Sequence, residues 1–118
     1  MTHMKIYLAG PMRGVPYFNF PAFDEAAAKL RAEGHEVFSP ADHDRKIHGG
    51  DKFLNATGDD EQAEREHGVS RRKLLGDDLA WICAEADAIA LLPGWRNSTG
   101  ATAEHATAIA IGLKVIEL

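Results

Sequence analysis

Two short stretches at opposite ends of the chain carry side chains that can do chemistry together. Near the N-terminus, Lys5-Ile6-Tyr7-Leu8-Ala9 runs into Gly10-Pro11-Met12-Arg13-Gly14, an apolar run ending in a glycine-bracketed loop with one arginine. Backbone N–H groups freed by such a loop, beside a guanidinium that offers a bidentate fork, suit an anionic ligand. Near the C-terminus, Asn97-Ser98-Thr99-Gly100 precedes Ala101-Thr102-Ala103-Glu104. The polar side chains there can hold phosphate or sugar oxygens beside the Glu104 carboxylate. A helix that begins near Thr99 would favour the ionised form of an acid in its opening turns. An anion loop and an ionised, nucleophilic carboxylate point to chemistry at the sugar of a nucleotide. The plainer alternatives are a turn with a solvated arginine and an acid that only partners a helix dipole.

Other titratable groups are weaker candidates. Asp77 and Asp78 fall mid-helix between Leu75 and Leu79, so one faces solvent while the other can point to a pocket as general acid or sugar-hydroxyl acceptor. Their spacing fits a solvated acidic face equally well. Asp87 opens a strand and reads as a cap. His43, His48 and His67 with Asp42, Asp44, Asp59 and Asp60 match no metal-ligand spacing, and no metal or other cofactor is expected. His105 lies about 100° round the helix from Glu104, so the two cannot closely face one ligand. No Ser-His-Asp or Cys-His arrangement is evident.

Composition sets the outer limits. A chain of 118 residues, 45% hydrophobic and 26% charged, is one globular domain, 1–118, with room for a core. Thirteen basic against 18 acidic residues give a net charge of −5, which argues against a nucleic-acid polymer as partner but not against a small nucleotide. Cys83 has no partner for an intrachain disulfide, and its helical setting predicts a buried thiol in a cytoplasmic protein. No apolar run approaches the roughly 18 residues of a membrane span, and the start does not read as a signal sequence.

The elements that must position these groups follow from hydrophobic periodicity. Ile6, Leu8 and Ala9 form a nearly continuous apolar run, as in a strand buried on both faces, with Tyr7 the odd member. Asn19 before Phe20-Pro21 is a plausible helix cap; Phe20, Phe23, Ala27 and Leu30 recur at helical spacing, and Gly34 stops the helix. Glu36-Val37-Phe38 is a second strand. From Ala41 to Val69 the pattern fails, and a long polar loop over 41–69 is expected. Helical order resumes at Ser70, with Leu75, Leu79, Ile82 and Ala86 as one buried stripe. Asp87 to Leu92 is a strand, a final helix runs from about Thr99 to Ile111, and Leu113 to Glu117 is the last strand. The order β-α-β-loop-α-β-α-β predicts an α/β fold: a three-layer, Rossmann-like sandwich on a mostly parallel four- to five-stranded sheet. The loops after Ala9 and after Leu92 then share the carboxyl edge, where such sheets bind ligands.

Ile6-Tyr7-Leu8-Ala9-Gly10-Pro11-Met12-Arg13-Gly14, Asp78-Leu79-Ala80-Trp81 followed by Ala86-Asp87, and Gly100-x-x-x-Glu104 resemble the nucleoside 2-deoxyribosyltransferase superfamily. The likeness is to a small, phage-rich branch that opens YLAGPMRG, similar to 2′-deoxynucleoside 5′-phosphate N-hydrolases, and it covers the chain except residues 41–68. The resemblance implies that Glu104 attacks the anomeric carbon to form a glycosyl-enzyme, that Tyr7 orients it, and that Asp78 assists at the leaving base or sugar. It implies substrate or phosphate contacts from Gly10, Met12, Arg13, Gly14, Ser98 and Gly100. Transferases of the superfamily carry aspartate where this chain has Ser98; losing that charge favours a nucleoside 5′-monophosphate. Pro11 stands where the hydrolases have a serine. The expected activity is N-glycosidic cleavage of deoxynucleoside 5′-monophosphates. Base exchange by a deoxyribosyltransferase and a non-catalytic nucleotide sensor are the alternatives. A homodimer or larger homo-oligomer is expected, because sites of the superfamily are completed by neighbouring subunits.

Overall fold

Apolar side chains on both faces force β1 (Lys5–Ala9) into the interior: Ile6 to Ala9 are fully buried. In the computed structural model, which describes residues 3–118, β1 pairs in parallel with β2 (Glu36–Phe38) on one side and β3 (Ala88–Leu91) on the other. β4 (Lys114–Glu117) extends β3, giving a four-stranded, all-parallel sheet in the order β2-β1-β3-β4. The chain therefore leaves β1 first toward one edge and later toward the other. That reversal opens a crevice beyond the carboxyl ends of β1 and β3.

Successive strand residues point to opposite faces, and each set meets its own helices. Ile6, Leu8, Ala88 and Ala90 pack with Phe20, Phe23, Ala27 and Leu30 of α1 (Phe20–Ala32). Tyr7, Ala9, Ile89 and Leu91 pack with Ile82 of α4 (Arg71–Glu85) and with Ala101 and Ala108 of α5 (Thr99–Ala110). The result is the three-layer, Rossmann-like sandwich predicted from element order. The small residues of α5 let its backbone approach the sheet. Asp87 ties the sheet's opening edge together: its Oδ2 accepts the Lys5 N–H at 2.8 Å. Among the described residues, no helix is long and apolar enough to cross a membrane.

The segment expected as a long loop instead holds two helices, α2 (Pro40–His48) and α3 (Asp60–His67). Both are polar, so hydrophobic periodicity could not reveal them; end signals hold them. Pro40 sits in the first turn of α2, and Gly49 closes it in the left-handed region at φ 70°. The Asp59 side chain accepts the Gln62 N–H, Asp60 and Glu61 occupy the first turn of α3, and Arg65 and His67 the last. Phe53, Ala63 and Val69 anchor the segment in the core.

A turn between the two helices docks on the loop after β1. The Gly14 N–H donates to Gly58 O at 2.8 Å, and the Tyr17 N–H donates to Asn55 O at 2.8 Å. Gly58 has φ 66°, and a Cβ there would stand 2.1 Å from Val15 O, a backbone atom. Gly58→Ala is therefore expected to cost about 1–3 kcal/mol and lower Tm by several degrees. A melting curve identical to that of the parent would show that this turn does not seat against Val15.

Three smaller expectations need correction. Cys83 is exposed, because the inward position on that turn of α4 is taken by Ile82. Asn19 precedes α1 but does not cap it: at φ 61° its Nδ2 donates to Pro11 O at 3.0 Å, bracing the loop after β1. Within the α4 stripe only Ile82 is fully buried; Leu75, Leu79 and Ala86 are partly so.

Candidate active site

The site begins where β1 and β3 end. A Cβ on Gly10 would lie 2.7 Å from Leu92 Cβ, so the absence of a side chain lets the strand ends remain adjacent, with Leu92 N–H donating to Ala9 O at 2.8 Å. Beyond this point the chains diverge. A short 3-10 turn, Trp95–Asn97, leads to Ser98, whose Oγ accepts the Ala101 N–H at 3.1 Å and starts α5. A helix start leaves its first-turn donors without intrahelical acceptors, here those of Thr99 and Gly100.

Between these elements lies a cavity of about 540 Å³, a size suited to a small organic ligand. Gly10, Met12, Arg13, Asp78, Ser98, Gly100 and Glu104 all line it, so the two ends of the chain do meet there. Tyr7 lies beneath: its hydroxyl donates to Glu104 Oε2 at 2.7 Å in a buried contact. Alternation along β1 turns Tyr7 toward α5. Its ring stacks on Phe38 at 5.5 Å and meets Trp81 at 6.4 Å, which fixes the hydroxyl.

Gly14 is placed differently from expectation. Its N–H is committed to Gly58, and it lies on an adjoining cleft rather than on the main cavity wall, so it offers that cavity no donor. Arg13 does face the cavity, and its Nη2 donates to Thr99 Oγ1 at 2.9 Å.

Three of the carboxyls that line the cavity are buried: Asp44, Asp78 and Glu104, each 6% exposed. Asp44 Oδ1 and Asp78 Oδ1 are buried without a hydrogen-bond partner. Burial pushes Asp44 up to about 8, helped by the charges of Asp78 and Asp77. Burial also raises Asp78 to about 6, against the lowering effects of Tyr7, His43 and Glu104. Glu104 moves well above the usual carboxylate range, again chiefly by burial and then by Asp78, with Tyr7 opposing. The direction is opposite to the one expected from the helix dipole. Glu104 is the sixth residue of α5, past the first turn where the dipole acts, so desolvation decides.

The ambiguity between the paired aspartates of α4 is resolved by rotation. Asp78 is turned inward, while Asp77 is partly exposed and meets His43 Nε2 at 3.0 Å and Lys73 Nζ at 3.1 Å. His43 and Lys73 lower its pKa. His43 also packs on Phe38 at 5.2 Å, linking α2 to the aromatic group beneath Tyr7. The other members of the histidine-aspartate set do not gather: His48 packs on Phe53 and Asp42 pairs with Arg31. His105 packs on Trp95 at 4.4 Å with the rings tilted by 46°.

Asp44, Asp60 and Arg71 line the cavity although sequence reasoning gave them no role. For Asp44 the available signal was its spacing from Ala41, three residues earlier, which shares its buried face of α2. Recognising it required recognising that helix.

The chain is thus an open, all-parallel α/β domain with a carboxyl-lined cavity at the switch point of its sheet. Over residues 4–117 the chain matches the family described as a domain of unknown function (DUF4406), and it belongs to that family. No curated protein matches it.

Proposed function

We propose that this chain is an N-glycosidase that cleaves the base–deoxyribose bond of deoxynucleoside 5′-monophosphates, with Glu104 as nucleophile. The observation that carries this reading is the buried 2.7 Å Tyr7–Glu104 hydrogen bond in a cavity shared with Asp78. A carboxylate held by a buried phenol beside a second carboxyl is the equipment of a retaining glycosidase.

In the first half-reaction a Glu104 oxygen bonds to the anomeric carbon as the base departs, and Asp78 gives its proton to the leaving nitrogen. Water then attacks the same carbon, gives a proton to Asp78 and releases Glu104. The cluster must start with the proton on Asp78 and the charge on Glu104. The 2.7 Å Tyr7 hydrogen bond opposes the effect of burial on Glu104 and so favours its ionised form, and positive charge developing on the sugar favours that form further.

The test is chromatography for free base after incubation with deoxynucleosides and their 5′-monophosphates, with and without an added acceptor base. Base released from monophosphates without acceptor supports the hydrolase. Release only with acceptor replaces it by base exchange, and no release from any substrate overturns both. Arg13→Ala is expected to raise KM for monophosphates about tenfold while leaving free nucleosides unchanged. Equal losses on both would remove Arg13 from phosphate recognition.

A further inference from the structure

Arg13 does not face the cavity mouth as a lone cation. Arg71, at the start of α4, lines the same cavity, and the Asp60 carboxylate stands between the two guanidiniums. One oxygen, Asp60 Oδ2, lies 3.9 Å from Arg13 Nη1 and 3.5 Å from Arg71 Nη1. Both separations exceed those of charge-assisted hydrogen bonds, so Asp60 fills the space between the forks without engaging either well. Its location is set by the backbone instead: Asp60 opens α3, which follows the turn bound to Gly14 and Tyr17.

We propose that Arg13 and Arg71 together form the seat for the substrate's phosphomonoester, and that Asp60 occupies this seat as a stand-in anion until phosphate displaces it. This rests on the nucleotide reading above and deepens it by naming a second phosphate ligand and an internal competitor. A phosphomonoester carries up to two negative charges and three acceptor oxygens, so it can satisfy both forks at once, whereas a carboxylate placed this far away satisfies neither. Thr99 Oγ1, already bonded to Arg13, holds one guanidinium toward α5, whose first-turn N–H groups adjoin the same opening. Burial raises the Asp60 pKa despite Arg13, in keeping with a carboxylate poorly paired where it stands. Displacement requires only that the Asp60 side chain turn outward; α3 need not move.

The experiment is calorimetric titration of the intact protein and its variants with deoxyribose 5-phosphate, which has no base to release, and with inorganic phosphate. Asp60→Asn removes the competing charge and keeps a polar side chain at the start of α3. It is expected to tighten deoxyribose 5-phosphate binding about three- to fivefold. Arg71→Ala is expected to weaken it about tenfold, with Arg71→Lys between, since an ammonium keeps the charge but not the fork. Inorganic phosphate should follow the same order. Unchanged or weaker binding in Asp60→Asn overturns the stand-in role, and unchanged binding in Arg71→Ala overturns the two-arginine seat. Because binding is read without turnover, these outcomes are separate from those of the base-release assay. A chain that binds the sugar phosphate in this order but releases no base keeps the seat and loses the glycosidase.

Discussion

Glu104→Ala is expected to reduce base release by at least about a thousandfold, roughly 4 kcal/mol of transition-state stabilisation. In the proposed reaction the carboxylate does two things at one carbon: it offsets the positive charge that develops as the base leaves, and then forms the bond that divides the reaction into two steps. Neither survives truncation. The fold should survive, because Glu104 lines a cavity and its loss creates no buried charge. It does leave the Tyr7 hydroxyl without its acceptor, a cost of about 1–3 kcal/mol for a buried donor. Tyr7→Phe separates these effects. It keeps the nucleophile but removes the bond that favours its ionised form, so the acid side of the pH–rate profile should move to higher pH while some activity remains. An alanine variant with near-parental turnover in base-release assays would end the assignment of Glu104 as nucleophile.

The contrast between Glu104 and Asp44 shows what was legible in the sequence. The strand from Lys5 to Ala9, its glycine stop and the alanine-rich helix carrying Glu104 each have a local apolar signature, and parallel order brings their ends to one edge. From residues alone Tyr7 was only the odd member of an apolar run; its role came from resemblance. The register of β1 gives the physical reason, because alternation turns Tyr7 to the face that α5 covers. Asp44 and Asp60 were not legible as site residues, since they lie on helices defined by caps and charge placement rather than by an apolar stripe. Between Asp77 and Asp78 the sequence left a choice that one residue of helical rotation decides. The direction of the Glu104 pKa shift is not legible in the sequence, because desolvation depends on which segments converge on it, and that is a tertiary property.

Asp44→Asn should change how stability depends on pH more than it changes stability at any one pH. The folded-state pKa of Asp44 lies near 8, against an ordinary value of 3.8. Between those limits the folded chain holds a proton that the unfolded chain releases, so stability is full in acid and is lost as pH rises toward 8. Asp78, raised to about 6, contributes in the same direction over a narrower range. The groups that surround Asp44 do not offset this: Asp78 and Asp77 on α4 and Glu104 on α5 are acids, and His43 is paired with Asp77. Asparagine cannot ionise, so it removes the Asp44 share of the slope, while its amide adds donors that can cost about 1–3 kcal/mol at every pH if left unpaired. The discriminating quantity is therefore the difference between two conditions. Relative to the parent, the variant is expected to gain about 2–4 kcal/mol between about pH 5 and about pH 8.5, or some 5–10 °C in Tm. Thermal melts at the two values measure it directly. A variant whose Tm differs from that of the parent by the same amount at both would mean that Asp44 is ionised in the folded chain at neutral pH. The cavity would then present an anion, rather than a hydroxyl donor, at this wall.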